Sequence, residues 1–139
     1  MKEVKCATKA FIMDNGKLLV IKQGKHGKEW WDMPGGAMEF GLTPEENLKK
    51  EVKEELGIEI KIKKLIGVSQ FVDRRGDQII CLDYLCEPKS KDLDLTKNPD
   101  KRENIIKFFW LTPEEFHAKL PDSPEQKGLK NFVKDCFLG

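Results

Sequence analysis

Residues 35–58 read GGAMEFGLTPEENLKKEVKEELGI, and both the architecture and the chemistry of the chain are approached from this stretch. Thr43-Pro44-Glu45-Glu46 is a helix start: Thr43 can cap, Pro44 suits the first helical position and Glu46 completes a capping box. Gly57 ends the helix. Between them Leu48, Val52 and Leu56 recur every four residues and form one narrow apolar stripe for the core. At 3.6 residues per turn Glu51 and Glu55 lie one above the other with Glu54 beside them, so three carboxylates are expected to share a patch bordering that stripe. Like charges at this spacing destabilise a helix unless something offsets them. Lys49, Lys50 and Lys53 can do part of this, and a hard divalent cation such as Mg²⁺ or Mn²⁺ would do it better than zinc. A solvated charged helix face is the competing reading of the glutamates alone. Upstream, Pro34-Gly35-Gly36 breaks regular structure and predicts a special bend beside the helix.

Working outward, residues 4–13 favour a strand. Asn15-Gly16 followed by Leu18 to Ile21 predicts a hairpin, because both turn residues tolerate positive φ. Residues 22–30 (KQGKHGKEW) are polar and glycine-bearing and read as a loop. Residues 58–73 and 78–86 suggest a second pair of strands around the turn Arg74-Arg75-Gly76-Asp77. Its Arg-Gly-Asp tripeptide is better read as a plain turn than as an adhesion motif. A polar connection over 87–104 leads to an apolar strand from Ile105 to Leu111. Thr112-Pro113-Glu114-Glu115 repeats the capped-helix signal. Ser123-Pro124-Glu125-Gln126 repeats it again before a C-terminal helix with Leu129, Phe132, Val133 and Phe137 on its apolar side. Interleaved strands and helices imply an α/β unit with a mixed sheet packed by helices.

At 139 residues the chain has room for one core, so residues 1–139 are expected to form a single domain. Hydrophobic residues at 39% and charged residues at 35% give a globular composition. Lys plus Arg (25) nearly balances Asp plus Glu (24), and the basic residues are scattered, which argues against a nucleic-acid or anionic-membrane surface. Apolar runs are strand-sized, and the N-terminus lacks the features of a signal peptide, so a cytoplasmic location is expected. Cys6, Cys81, Cys86 and Cys136 have no metal-binding spacing and read as reduced, mostly buried thiols. His26 and His117 share no motif and are read as solvated or locally hydrogen-bonded.

The whole 35–58 pattern resembles the Nudix box, G-x5-E-x7-R-E-U-x-E-E-x-G-U with U a bulky aliphatic residue. Gly36, Glu51, Val52, Glu54, Glu55, Gly57 and Ile58 match it in spacing. Trp31-Asp32-Met33-Pro34-Gly35-Gly36 is similar to the family's Trp-x-x-Pro-Gly-Gly lead-in. Glu39, Gly41 and Thr43-Pro44-Glu45 fit its loop and helix start, and Phe108-Phe109-Trp110-Leu111 before a short helix fits its later strand. Two positions depart from the pattern: Leu42 stands where Glu is expected and Lys50 where Arg is expected.

The resemblance implies a Nudix fold, a mixed β-sheet sandwiched between helices, and looks most like the MutT-like branch, whose members convert nucleoside triphosphates to monophosphates and pyrophosphate. It implies that Glu51, Glu54 and Glu55 are catalytic and bind Mg²⁺, with Mn²⁺ the alternative, helped by the carbonyl of Gly35. A further acidic ligand from a later segment is implied, with Glu103 the first candidate and Asp100 the second. Gly36 and Trp31 are candidate substrate-binding residues, and Phe71 and Tyr84 further candidates for stacking on a base. By resemblance the missing arginine orients the neighbouring glutamate, a task for which a planar fork is better suited than the point charge of Lys50. Leu42 removes a carboxylate near the helix. The family's markers for ADP-ribose, coenzyme A, reduced dinucleotides and diadenosine polyphosphates have no convincing counterpart; Phe71-Val72-Asp73-Arg74-Arg75 follows the box instead. The expected partner is a small nucleotide or nucleotide-sugar. The rival reading is a Nudix-like binding module with weak or no catalysis. Oligomeric state is open.

Overall fold

A computed structural model describes residues 1–90 and 105–139. Its strands are β1 (Val4–Asp14), β2 (Lys17–Lys25), β3 (Lys28–Asp32), β4 (Gly35–Ala37), β5 (Ile60–Val72), β6 (Gln78–Pro88) and β7 (Ile105–Leu111). Its helices are α1 (Pro44–Leu56), α2 (Pro113–Lys119) and α3 (Lys127–Val133), the last running into a wider π-helical turn over Lys134–Leu138. No described helix is long and apolar enough to cross a membrane.

The runs Ala10-Phe11-Ile12 and Leu18-Leu19-Val20-Ile21 are apolar without interruption because the sheet is covered on both faces. Ala10, Ile12, Leu19 and Ile21 point to the α1 side, where they meet Leu48, Val52 and Leu56. Phe11, Leu18 and Val20 point the other way, toward Phe116, Leu120, Phe132 and Val133 of the C-terminal helices and their flanks. Burying each of these larger side chains stabilises the fold by about 1.5–3 kcal/mol. The strand order is β3-β2-β1-β6-β5, with β7 on β2 and β4 on β1. β1 and β6 run parallel while the other pairings are antiparallel, giving the mixed sheet between helices that the sequence implies.

Two local expectations need correction. Residues 22–30 are not a loop: β2 continues to Lys25 and pairs with β3 around a turn at His26-Gly27. His26 takes a left-handed φ of 54°, and the strands' exposed ends need no apolar pattern. At the C-terminus, residues 124–126 form a turn first and the helix begins at Lys127. Gln126 at its start makes no capping bond, because its side chain is spent elsewhere. The Arg74-Arg75-Gly76-Asp77 segment is a turn, organised by Asp73, whose carboxylate accepts from the backbone N–H groups of Arg75 (2.9 Å) and Asp77 (3.0 Å). Cys81 and Cys86 are buried, with thiols pushed up to about 12 by burial, whereas Cys136 is exposed.

Candidate functional site

Helix α1 forms with the boundaries its residues predict. Thr43 and Glu46 complete the capping box, and Gly57 closes the helix in the left-handed conformation. Beside the buried row Leu48, Val52 and Leu56 runs a second row at the same spacing, Asn47, Glu51 and Glu55, which is also buried. Glu51 is 4% exposed and Glu55 7%, so the carboxylates at the rim of the core have left bulk water.

They face the glycine bend. Gly35 has φ 139°, and a Cβ there would stand 2.1 Å from the carbonyl oxygen of Thr8 on β1, so only glycine lets β4 pair at this register. A Cβ on Gly36 would stand 2.6 Å from Oε2 of Glu51. The bare backbone is what admits the carboxylate. The Gly35 N–H donates to Oε1 of Glu55 at 3.2 Å. Asn47 ties the bend to the helix: its amide donates to Thr8 Oγ1 (3.0 Å) and the Ala37 carbonyl (3.2 Å), and its Oδ1 accepts from the Glu39 N–H (3.0 Å).

Glu54 stands apart from this pair. Lys50 reaches it at 2.8 Å across one helical turn and reaches Glu39 at 2.6 Å. Lys50 thus fills the place expected for an arginine by bridging two acids with one ammonium. The convergence of three glutamates is therefore partial. Glu51 and Glu55 meet the bend while Glu54 turns to Lys50, and among the described residues no three acidic, imidazole or thiol groups are gathered closely enough to enclose an ion.

The donor set nonetheless fits a hard cation. Burial pushes the Glu55 carboxyl up to about 7; the Lys9 charge opposes this, Asp32 adds to it, the Gly35 N–H opposes it and Glu51 adds to it. Lys9 sits at the junction, 3.1 Å from Asp32 Oδ2. Burial would lower its own pKa, but the charges of Asp32 and Glu55 outweigh that and hold its ammonium above the usual lysine range. One lysine thus faces an excess of buried acid. Gly35 and Gly36 leave room for oxygen donors to close on an ion.

Lys9 and Asp32 also border a cleft of about 380 Å³ with Trp30, Phe71, Arg74 and Asp83 in its walls. The Arg74 guanidinium lies 4.5 Å from the centre of the Trp30 ring. Gln126 clasps one wall, accepting from the Trp31 N–H at 2.6 Å and donating to the Trp31 carbonyl at 2.9 Å. Asp83, 1% exposed, is pushed up to about 7 by burial, against the hydrogen bond from Ser69 and the charge of Lys9, with Asp32 adding to the rise.

This has a consequence for stability. A native pKa of about 7 against 3.8 for the free side chain means the folded protein binds this proton more tightly. The stabilisation is complete below the unfolded pKa and is lost as pH rises through 7. Asp83→Asn is accordingly expected to flatten the decline in stability between pH 5 and 8 and to exceed the wild type by about 2 kcal/mol at pH 8. Denaturant midpoints of the metal-free proteins at the two pH values check this; parallel profiles for the two proteins would refute it.

The expected site residues separate clearly. Glu51, Glu55, Gly35 and Gly36 come together, Glu54 lies on the same helix, and Glu103 and Asp100 lie outside the described residues. Trp31 borders the cleft, but its ring packs on Phe109 (5.3 Å between centres) and Phe116 (5.8 Å) with the Lys22 ammonium 4.2 Å away. Trp30 offers the more accessible ring. Tyr84 belongs to the α1 core and donates to Glu45 at 3.3 Å, whereas Phe71 lines the cleft. The sequence reading missed Lys9, Asn47 and Asp83. Asn47 was signalled by its place four residues before Glu51, and Asp83 by a charge inside the apolar run QIICLDYLC.

Comparison with known proteins places this geometry in context. The chain matches the NUDIX domain family model over residues 6–135. It is 31% identical over 111 residues to a MutT-like protein of Streptomyces ambofaciens, covering 80% of this chain and 65% of that one, just under two thirds of its length. It is 29% identical over 118 residues to the nucleoside triphosphatase NudI of Enterobacter sp. (strain 638), covering 77% of this chain and 81% of the relative. In fold it resembles the crystal structure of a MutT protein from Methanosarcina mazei Go1, with a TM-score of 0.78, 19% identity, and coverage of 96% and 93%.

Proposed function

Because the chain belongs to the Nudix family, whose members generally use divalent metal ions, we propose that residues 1–139 act as one Mg²⁺-dependent unit that hydrolyses a nucleoside diphosphate linked to another moiety, a nucleoside triphosphate yielding the monophosphate and pyrophosphate. The observation that carries this reading is the pair of buried carboxylates, Glu51 and Glu55, closed against Gly35 and Gly36 beside a cleft. Relatives with MutT-like and nucleoside triphosphatase names support the substrate class.

Glu51, Glu54 and Glu55 would hold the metal, with the Gly35 carbonyl and, on sequence grounds, Glu103. When bound, the ion neutralises phosphate oxygens and makes water more acidic. The chain's own work is positioning. The Gly35 N–H fixes the Glu55 carboxylate, Asn47 fixes the bend, and one carboxylate of the Glu51–Glu55 pair accepts the attacking water's proton. Lys9 offsets the acid charge between the phosphate end and the cleft. Lys22 and the Trp31 ring form a rigid wall rather than a stacking face, so base stacking falls to Trp30 and Phe71.

Purified protein incubated with Mg²⁺ and a panel of nucleoside triphosphates, nucleotide-sugars and ADP-ribose should release monophosphate with pyrophosphate or a second phosphate compound. Tight binding without turnover at several pH values would instead establish the binding-module reading. A second expected outcome concerns Lys50. Lys50→Arg should raise kcat about 2–10-fold with little change in KM, because a planar guanidinium can hold Glu39 and one oxygen of Glu54 in a fixed geometry and leave the other Glu54 oxygen for the metal. A fall in kcat would show that the single ammonium bridge is the better fit.

A further inference from the structure

The polar groups deep in the cleft are nearly all committed. Asp32 accepts from the Met33 N–H at 2.8 Å through one oxygen and from Lys9 through the other. Trp30 donates its indole N–H to Gln23 at 2.8 Å, and both ends of the Gln126 amide are used by the Trp31 backbone. Ser69 lies beside Asp83 and Cys81, where its hydroxyl favours their charged forms. Oδ2 of Asp83 differs from these: it is buried and has no hydrogen-bond partner among the described residues. A carboxyl oxygen held out of water in this way is costly to the fold, and a ligand that supplies a donor recovers the loss.

The charge layout decides which part of a ligand reaches it. Asp83 and Asp32 repel phosphate, whereas a cation held at Glu51 and Glu55 would attract it, so a nucleotide would lie with its phosphates toward that end and its base toward Asp83. Trp30 and Phe71 supply aromatic surface for a flat ring. We propose that Asp83 is a specificity-determining residue of this cleft, its buried Oδ2 accepting a hydrogen bond from the exocyclic amino group of a nucleobase, so that amino-bearing bases are bound and their keto counterparts refused. The inference rests on the nucleotide reading of the site. Above pH 7, where Asp83 has lost its proton, a base with a carbonyl at that position sets oxygen against oxygen, and a site built around such a bond discriminates far more strongly than an apolar pocket does.

The test needs neither metal nor turnover. Trp30 and Trp31 line the cleft, so intrinsic tryptophan fluorescence can follow titration of the metal-free protein, at a pH above that at which Asp83 ionises, with cytidine and uridine and with adenosine and inosine, nucleosides that carry no phosphate for the acids to repel. Within at least one of these pairs the amino-bearing member is expected to bind about tenfold or more tightly. Asp83→Asn should shrink that ratio to about twofold, since an amide can present either a donor or an acceptor. Ser69→Ala, which keeps the carboxylate, should preserve the preference. Equal binding within both pairs, a preference for the keto members, or no binding of any of the four would overturn the proposal on the wild type alone; a full ratio in Asp83→Asn would overturn it from the variant. Base selectivity without hydrolysis would sink the catalytic reading and leave this one standing. Hydrolysis without base selectivity would do the reverse.

Discussion

Glu55→Gln is expected to lower hydrolysis by about a thousandfold while the protein stays folded. The amide keeps the shape of the side chain, and its oxygen can still accept from the Gly35 N–H, so the bend has no reason to open. What disappears is charge at a position 7% exposed and facing Gly35, where a divalent ion would be held. Metal dependence supplies an independent readout. Mg²⁺ should raise the melting temperature of the wild type and leave that of Glu55→Gln nearly unchanged, because only a state with differential affinity for the ion is stabilised by it. Full activity in the variant, or an equal thermal response to Mg²⁺ in both proteins, would remove Glu55 from the site.

The glycine pair should divide fold from function. Gly35→Ala places a methyl group 2.1 Å from a backbone oxygen at φ 139°, and neither partner is a flexible side chain. The β1–β4 pairing must yield, at about 3 kcal/mol or more. Gly36→Ala meets the end of Glu51 instead, 2.6 Å away, and a carboxylate can swing aside. That variant should fold with a loss of about 1 kcal/mol or less but lose most of its turnover, since the displaced oxygen is one proposed to hold metal. Chemical denaturation alongside activity assays separates the outcomes. If Gly36→Ala matched the wild type in rate, the approach of Glu51 to the bend would have no catalytic meaning.

Much of α1 was legible because its signals are local. The Thr43 cap, Pro44 and Gly57 lie within one chain segment, and the Leu48, Val52, Leu56 stripe names the buried face. The glycine bend and its acidic neighbours followed from the same segment. What local patterning could not convey was pairing across the chain. Lys9 and Asp83 come together because β1 and β6 run parallel with Lys9 opposite Asp83, and nothing near either residue announces that register. The hairpin of β2 and β3 was missed for a different reason. Its outer ends are exposed, so the alternation that marks a half-buried strand is absent, and the turn uses a histidine where asparagine or aspartate would have been the clearer sign. Spacing put Glu54 in one patch with Glu51 and Glu55, whereas in the structure it stands apart from them, and spacing alone says nothing of Lys50 competing for it.

The clasp between Gln126 and Trp31 spans 95 residues of chain. Closing so long a loop carries an entropic toll that grows with the logarithm of its length, and it is repaid only once both ends exist and the sheet between them has docked. On a ribosome Gln126 is made 95 residues after Trp31, so the wall they share cannot close until both have emerged. Shortening the chain ahead of Gln126 would strip Phe132 and Val133 from the core along with the clasp, so the wall of the cleft and one cover of the sheet would be lost together.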